Sequence, residues 1–110
     1  MAVPIPTPTL GTKSPGLFKP SGTTTLFRTD LLVVTPGSRV TDGTVMQYSI
    51  EDYDGPRSGI TPDWKDARID PATGKWSFAL PVGAMRVRVC AYGEAGESAP
   101  SKAYSILVKG

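Results

Sequence analysis

Large apolar side chains recur at every second residue twice in close succession: Trp76, Phe78 and Leu80, then Met85, Val87 and Val89. Successive side chains of a β-strand point to opposite faces, so spacing by two gathers each trio on one side of a strand. Burial of one helix face needs spacings of three as well as four, and neither run has a spacing of three. Each large apolar side chain withdrawn from water contributes about 1.5–3 kcal/mol. Two such faces in contact therefore make the centre of a core between sheets. Gly93 and Gly96 bracket a turn after the second run and lead into a third strand.

The same punctuation continues backwards along the chain. Thr23 to Arg28 and Leu31 to Thr35 are rich in β-branched residues, and Pro36-Gly37-Ser38 and Asp42-Gly43 are turn sequences. From Thr44 to Ile50, Met46, Tyr48 and Ile50 alternate with Val45, Gln47 and Ser49. Glu51 to Pro71 holds Asp54-Gly55-Pro56, Ser58-Gly59, Thr61-Pro62 and Asp70-Pro71, all turn-forming. A connection this long seldom lacks structure of its own, so a short strand is predicted near Lys65 to Ile69. Nowhere is there a helix of three turns. About seven short strands at this turn spacing predict an all-β chain, an antiparallel β-sandwich over residues 21–110.

Residues 1–20 differ in kind, with Pro4, Pro6, Pro8, Pro15 and Pro20 among Thr, Gly and small apolar residues. Each proline fixes its φ, removes a donor and extends the residue before it. A stiff, extended N-terminal arm is predicted, either a plain leader or a docking arm. Val3, Ile5, Leu10, Leu17 and Phe18 give it more apolar surface than a solvated linker needs.

Composition removes several classes of function. The chain of 110 residues is one domain in size. Its longest apolar run is Leu31 to Val34, far short of the ~20 residues of a bilayer span. The start Met1-Ala2-Val3-Pro4 lacks the basic and apolar regions of a secretion signal, so the expectation is a protein not exported by that route. Net charge is +2. Arg86 and Arg88 form the one close basic pair of the second half, too small a cluster for phosphate contacts in register, so no nucleic-acid partner is expected. Cys90 is the single cysteine and excludes an internal disulfide. Histidine and asparagine are absent, which takes away the usual general base, the commonest transition-metal ligand and any N-glycosylation acceptor. No catalytic residues and no cofactor are expected.

The remaining candidates are contact residues. Glu51, Asp52 and Asp54, with Asp63, Asp66 and Asp70 further on, have the acidic beginning of a calcium loop but not its ligand spacing, so no metal is assigned. Tyr53, Trp64 and Tyr92 are candidates for an aromatic platform for sugars or a protein surface, against the alternative of Trp64 folded back on the core. Arg86 and Arg88 fall on the face opposite Val87 and Val89, as a solvated outer face or as carboxylate-binding contacts. Cys90 shares that outer face and has no histidine to activate it.

Gly74, Trp76, Phe78, Leu80, Pro81, Gly83, Val87, Val89, Ala91, Ala95, Gly96, Ser98, Pro100 and Ser101 together resemble the closing strands of bacterial and phage immunoglobulin-like modules. The run from Val87 to Ser101 is equally similar to the last two strands of fibronectin type III domains, where a tyrosine usually stands at the position of Met85. The resemblance implies an immunoglobulin-like sandwich and a role in recognition or structure. Coupled with the missing secretion signal, it leads to the expectation of a non-enzymatic phage virion protein at the capsid or tail surface. In that reading the arm docks on a capsid or tail protein, and the sandwich is displayed. The alternative is an adhesion or carbohydrate-binding module of a bacterial surface protein or secreted enzyme, meeting host-surface glycan or protein. Self-association through the arm or an open strand edge is a third expectation.

Overall fold

β-Branched and aromatic residues set the strands, and Gly, Pro and Asp separate them. The computed structural model describes residues 5–12, 22–37, 40, 43–54, 63–94 and 96–110. In chain order the strands are β1 (Thr9–Thr12), β2 (Thr23–Phe27), β3 (Leu32–Thr35), β4 (Val45–Asp54), β5 (Lys65–Asp66), β6 (Arg68–Ile69), β7 (Trp76–Phe78), β8 (Gly83–Gly93), β9 (Gly96–Glu97) and β10 (Tyr104–Lys109). Among the described residues there is no helix. Where the sequence predicts about seven strands the described residues form ten, of which β5, β6 and β9 have two residues each.

The strands form two sheets. One is ordered β1-β3-β7-β6, the other β2-β10-β8-β4-β5 with β9 paired to β8. Leu32, Val34 and Phe78 of the first sheet and Leu26, Met46, Ile50, Met85, Val87, Val89, Ile106 and Val108 of the second bury their side chains in one shared core. The two apolar trios of the sequence thus face each other across the sandwich, with Trp76 partly buried at its margin.

One pairing departs from the antiparallel expectation: β2 runs parallel to β10, from Thr23 beside Ser105 to Phe27 beside Lys109. Parallel neighbours need a long connection, and here the chain from β3 to β9 supplies it. The prediction of a strand at Lys65 to Ile69 resolves into two. Lys65 and Asp66 pair with β4, and Arg68 and Ile69 pair with β7 in the other sheet. Ala67 is the pivot, buried, with its N–H donated to the Met46 carbonyl at 2.8 Å.

β4 carries a bulge opposite β8. Glu51 pairs with Arg86 and Asp54 with Ala84, so two residues of β4 oppose one of β8. Asp52 takes a left-handed φ of 49° there, which a short polar side chain tolerates better than a branched one. The bulge turns Asp52 outward and Tyr53 inward. The Tyr53 hydroxyl then donates to the Val82 carbonyl at 2.6 Å, tying the end of β4 to the corner between β7 and β8.

Beyond β9, the segment Ser98-Ala99-Pro100-Ser101 continues alongside β8 by an unusual means. Ser98 and Ser101 donate their N–H groups to the carbonyls of Ala91 and Val89 at 2.7 and 2.9 Å. Their side-chain oxygens accept the return bonds from Ala91 N–H and Val89 N–H at 2.9 and 3.0 Å. Each hydroxyl completes its bonding by donating to a carbonyl one residue on, of Ala99 and of Lys102. Side chains thus stand in for strand carbonyls along a proline-containing stretch.

Residues 5–12, the described part of the predicted arm, lie against the body. Leu10 is in the core, Ile5 packs against it, and β1 pairs with β3 from Thr9 beside Thr35 to Thr12 beside Leu32. The Thr7 hydroxyl donates to the Ala99 carbonyl at 2.7 Å. Gly37 lies so close to Pro6 that an added Cβ would fall 2.5 Å from the Pro6 Cβ. Val3, Leu17 and Phe18 lie outside the described residues.

Candidate functional site

The outer face of the β4-β8-β10 sheet holds most of the chemistry-bearing residues. Arg86 and Arg88 emerge from β8 two residues apart, on the face that alternation predicts, and each meets a carboxylate from β4. Arg88 Nε donates to Glu51 Oε2 at 3.2 Å, with both side chains half-exposed. Its Nη1 reaches the Ser101 carbonyl at 3.4 Å. Arg86 Nε lies 3.8 Å from Asp52 Oδ2, with both groups largely in solvent. Pairs this open are worth at most about 1 kcal/mol, so they orient the guanidinium groups more than they stabilise the fold.

Two of the three candidate aromatic residues, Tyr53 and Tyr92, are far apart. Tyr53 is buried and its hydroxyl is engaged with Val82. Tyr92 is 49% exposed and pairs with Val45, at the far end of the β4–β8 ladder from the Asp54–Ala84 pair. At about 3.4 Å per residue, those ends are about 27 Å apart. Trp64 is half-buried just before β5. No shared platform joins Tyr53 to Tyr92.

The acidic residues are likewise dispersed. Glu51 and Asp52 face the arginines, and Asp66 Oδ1 accepts from Gln47 Nε2 at 2.8 Å. Asp70 organises the turn into β7: its Oδ1 accepts from Ala72 N–H at 3.0 Å and its carbonyl from Gly74 N–H at 2.7 Å. Gly74 has a φ of 71°, a conformation that glycine adopts without strain. Among the described residues no three His, Cys, Asp or Glu side chains are grouped to hold a metal ion.

Cys90 is the position where alternation misleads. It belongs to the outer face yet is 1% exposed, with its Sγ 3.7 Å from Gln47 Oε1. Burial first, and the Glu97 carboxylate second, push its thiol up to about 11. A thiol held protonated and covered is a poor nucleophile.

A cavity of about 360 Å³ opens beside the sheet crossing, lined in part by Tyr48, Phe78, Arg68 and Ile69. Tyr48 and Phe78 stack directly on each other in its wall, with ring centroids 4.0 Å apart and planes 3° from parallel. Burial raises the Tyr48 phenol above its ordinary value, against the opposing pull of the Arg68 charge.

Exposed apolar residues outside the predicted set are Phe27 at 58%, Ile69 at 55% and Val82 at 38%. Phe27 follows from the β2 pattern, in which Thr24 and Leu26 are buried and Thr23, Thr25 and Phe27 are exposed. Ile69 and Val82 carry no such sign, because they stand at a sheet crossing and a corner. Among the described residues no helix is long and apolar enough to cross a membrane. Comparison of the chain with known protein families, curated proteins and solved structures found no match.

Proposed function

We propose that this chain is an immunoglobulin-like display module of a phage virion, carried on the capsid or tail surface and acting by binding rather than catalysis. The strand order is the observation that carries the reading. In immunoglobulin domains the sheet A-B-E-D packs on G-F-C, and variable-type domains extend the second sheet beyond C. β1-β3-β7-β6 and β10-β8-β4-β5 follow those two orders strand for strand. The corner between β7 and β8 adds support. Such domains tie that corner with a tyrosine hydroxyl, and here Tyr53 reaches it from β4, which leaves Met85 free to serve the core.

The resemblance of the Gly74–Ser101 segment to phage and bacterial immunoglobulin-like modules supports a display or recognition role of this kind. Ile5 and Leu10 are used by the body itself, so among the described residues Phe27 and Val82, exposed apolar side chains at one end of the sandwich, join the docking candidates. The test is quantitative mass spectrometry of particles purified from a lysate of the source strain. The reading expects the chain at a fixed ratio to a capsid or tail protein. Its absence from purified particles, with specific binding on a glycan array, would replace this reading by an adhesion module.

A further inference from the structure

Among the described residues the second sheet ends in a strand with a neighbour on one side, and its chemistry is self-complementary. β2 is Thr-Thr-Thr-Leu-Phe, with no charge, no proline and no bulge, and among the described residues it pairs with β10 on one side only. At the other end of that sheet β5 has two residues; of the first sheet's edges β6 has two, and β1, with four, is weakened as a pairing strand by Gly11 at its centre. Very short edge strands offer little to an incoming strand, whereas a flat, uncharged strand of five residues invites pairing.

The direction of each β2 amide follows from its neighbours. Arg28 N–H donates to the Lys109 carbonyl at 3.0 Å, so it points to β10. Phe27 N–H points the opposite way, and there it meets Asp30 Oδ2 at 2.8 Å. Asp30 N–H in turn takes the Phe27 carbonyl at 2.9 Å. Alternation then puts the N–H and C=O of Thr23 and Thr25 on the open side as well. Asp30 therefore closes the last position of the edge and leaves two.

We propose that β2 pairs antiparallel with β2 of a second copy of this chain, about a two-fold axis through Thr24. Thr23 then faces Thr25 of the second copy, and Thr25 faces its Thr23, each pair exchanging two backbone hydrogen bonds. This register is the one that leaves the Asp30 turn intact. An axis through Thr25 would require the Phe27 N–H and carbonyl, which Asp30 holds. The two sheets join into one continuous sheet across the axis. A contact of four hydrogen bonds belongs to the weak class of interfaces, formed at high local concentration such as side-by-side display. The proposal stands independently of the virion reading.

Sedimentation equilibrium of the intact chain from about 10 μM to about 1 mM, a span suited to weak dimers, reads the association directly. A monomer–dimer equilibrium is expected, with Thr23 and Thr25 amide exchange slowing as concentration rises. Thr25→Pro removes an edge N–H that no strand of the same molecule uses, where proline is tolerated. Losing two of four bonds weakens association by roughly tenfold or more, while the cooperative melt is kept. Asp30→Ala frees the Phe27 amide as a further edge donor and is expected to tighten association. Wild type that stays monomeric to the highest concentration overturns the proposal, as does a dimer in which the Thr23 and Thr25 amides exchange at the monomer rate.

Discussion

Replacing Ser101 by alanine removes a hydroxyl with two partners. Its oxygen accepts from Val89 N–H and its hydrogen goes to the Lys102 carbonyl, at a residue 7% exposed beside a residue fully buried. Water has no ready path to the orphaned Val89 amide. A buried donor left without a partner costs about 1–3 kcal/mol. Ser98→Ala does the same to Ala91 N–H and is expected in the same range. Against a total stability of about 5–15 kcal/mol for a domain of this size, either loss is large. The unfolding entropy of 110 residues is about 0.23 kcal/mol/K, so each variant should melt about 4–13 °C lower. Calorimetry and urea unfolding should agree, with the m-value unchanged. Ser105→Ala on the outer face of β10 serves as the comparison and should stay within about 0.5 kcal/mol of wild type. If Ser98→Ala and Ser101→Ala both fall inside that same margin, the hydroxyls are not replacing strand carbonyls and the reasoning fails.

Tyr53→Phe keeps the ring in the core and deletes the bond to Val82, with an expected loss of about 0.5–1.5 kcal/mol in urea unfolding. Gly37→Ala forces a methyl group against the rigid Pro6 ring; about 1–3 kcal/mol of destabilisation is expected, with faster amide exchange in Thr7 and Thr9. Cys90 binds its proton more tightly folded than unfolded, so the stability it supports is present below about 9 and is lost as pH rises towards about 11. In the native state at pH 8 its thiol should react with a disulfide reagent far more slowly than in urea, and equal rates would contradict its burial.

The strands with strict alternation were legible because a two-sided environment acts on each residue independently. β7 and β8 came from the spacing of Trp76, Phe78, Met85, Val87 and Val89, and the first part of β4 came from Met46, Tyr48 and Ile50. Tyr53 escaped that logic, since a bulge at Asp52 shifts the phase of alternation by one residue and no local pattern announces it. Cys90 escaped for another reason: alternation assigns a face, and the cover over that face comes from other strands. In the sequence Ile5 and Leu10 stand out as surplus apolar groups of an extended arm, whereas β3 and the core supply their partners. Arg86 and Arg88 were placed on the correct face, but the carboxylates opposite them depend on the β4–β8 register, which sequence spacing alone does not give. Ser98, Pro100 and Ser101 were visible as a motif, and their use as substitute carbonyls became visible only with β8 beside them.

A cryo-EM map of the native particle tests the central claim most directly. It should show a two-sheet body at symmetry-related positions on the outer surface of the capsid or tail, its strand order β1-β3-β7-β6 over β2-β10-β8-β4-β5. A fully interpreted map with no density for this body at any exterior position would contradict it.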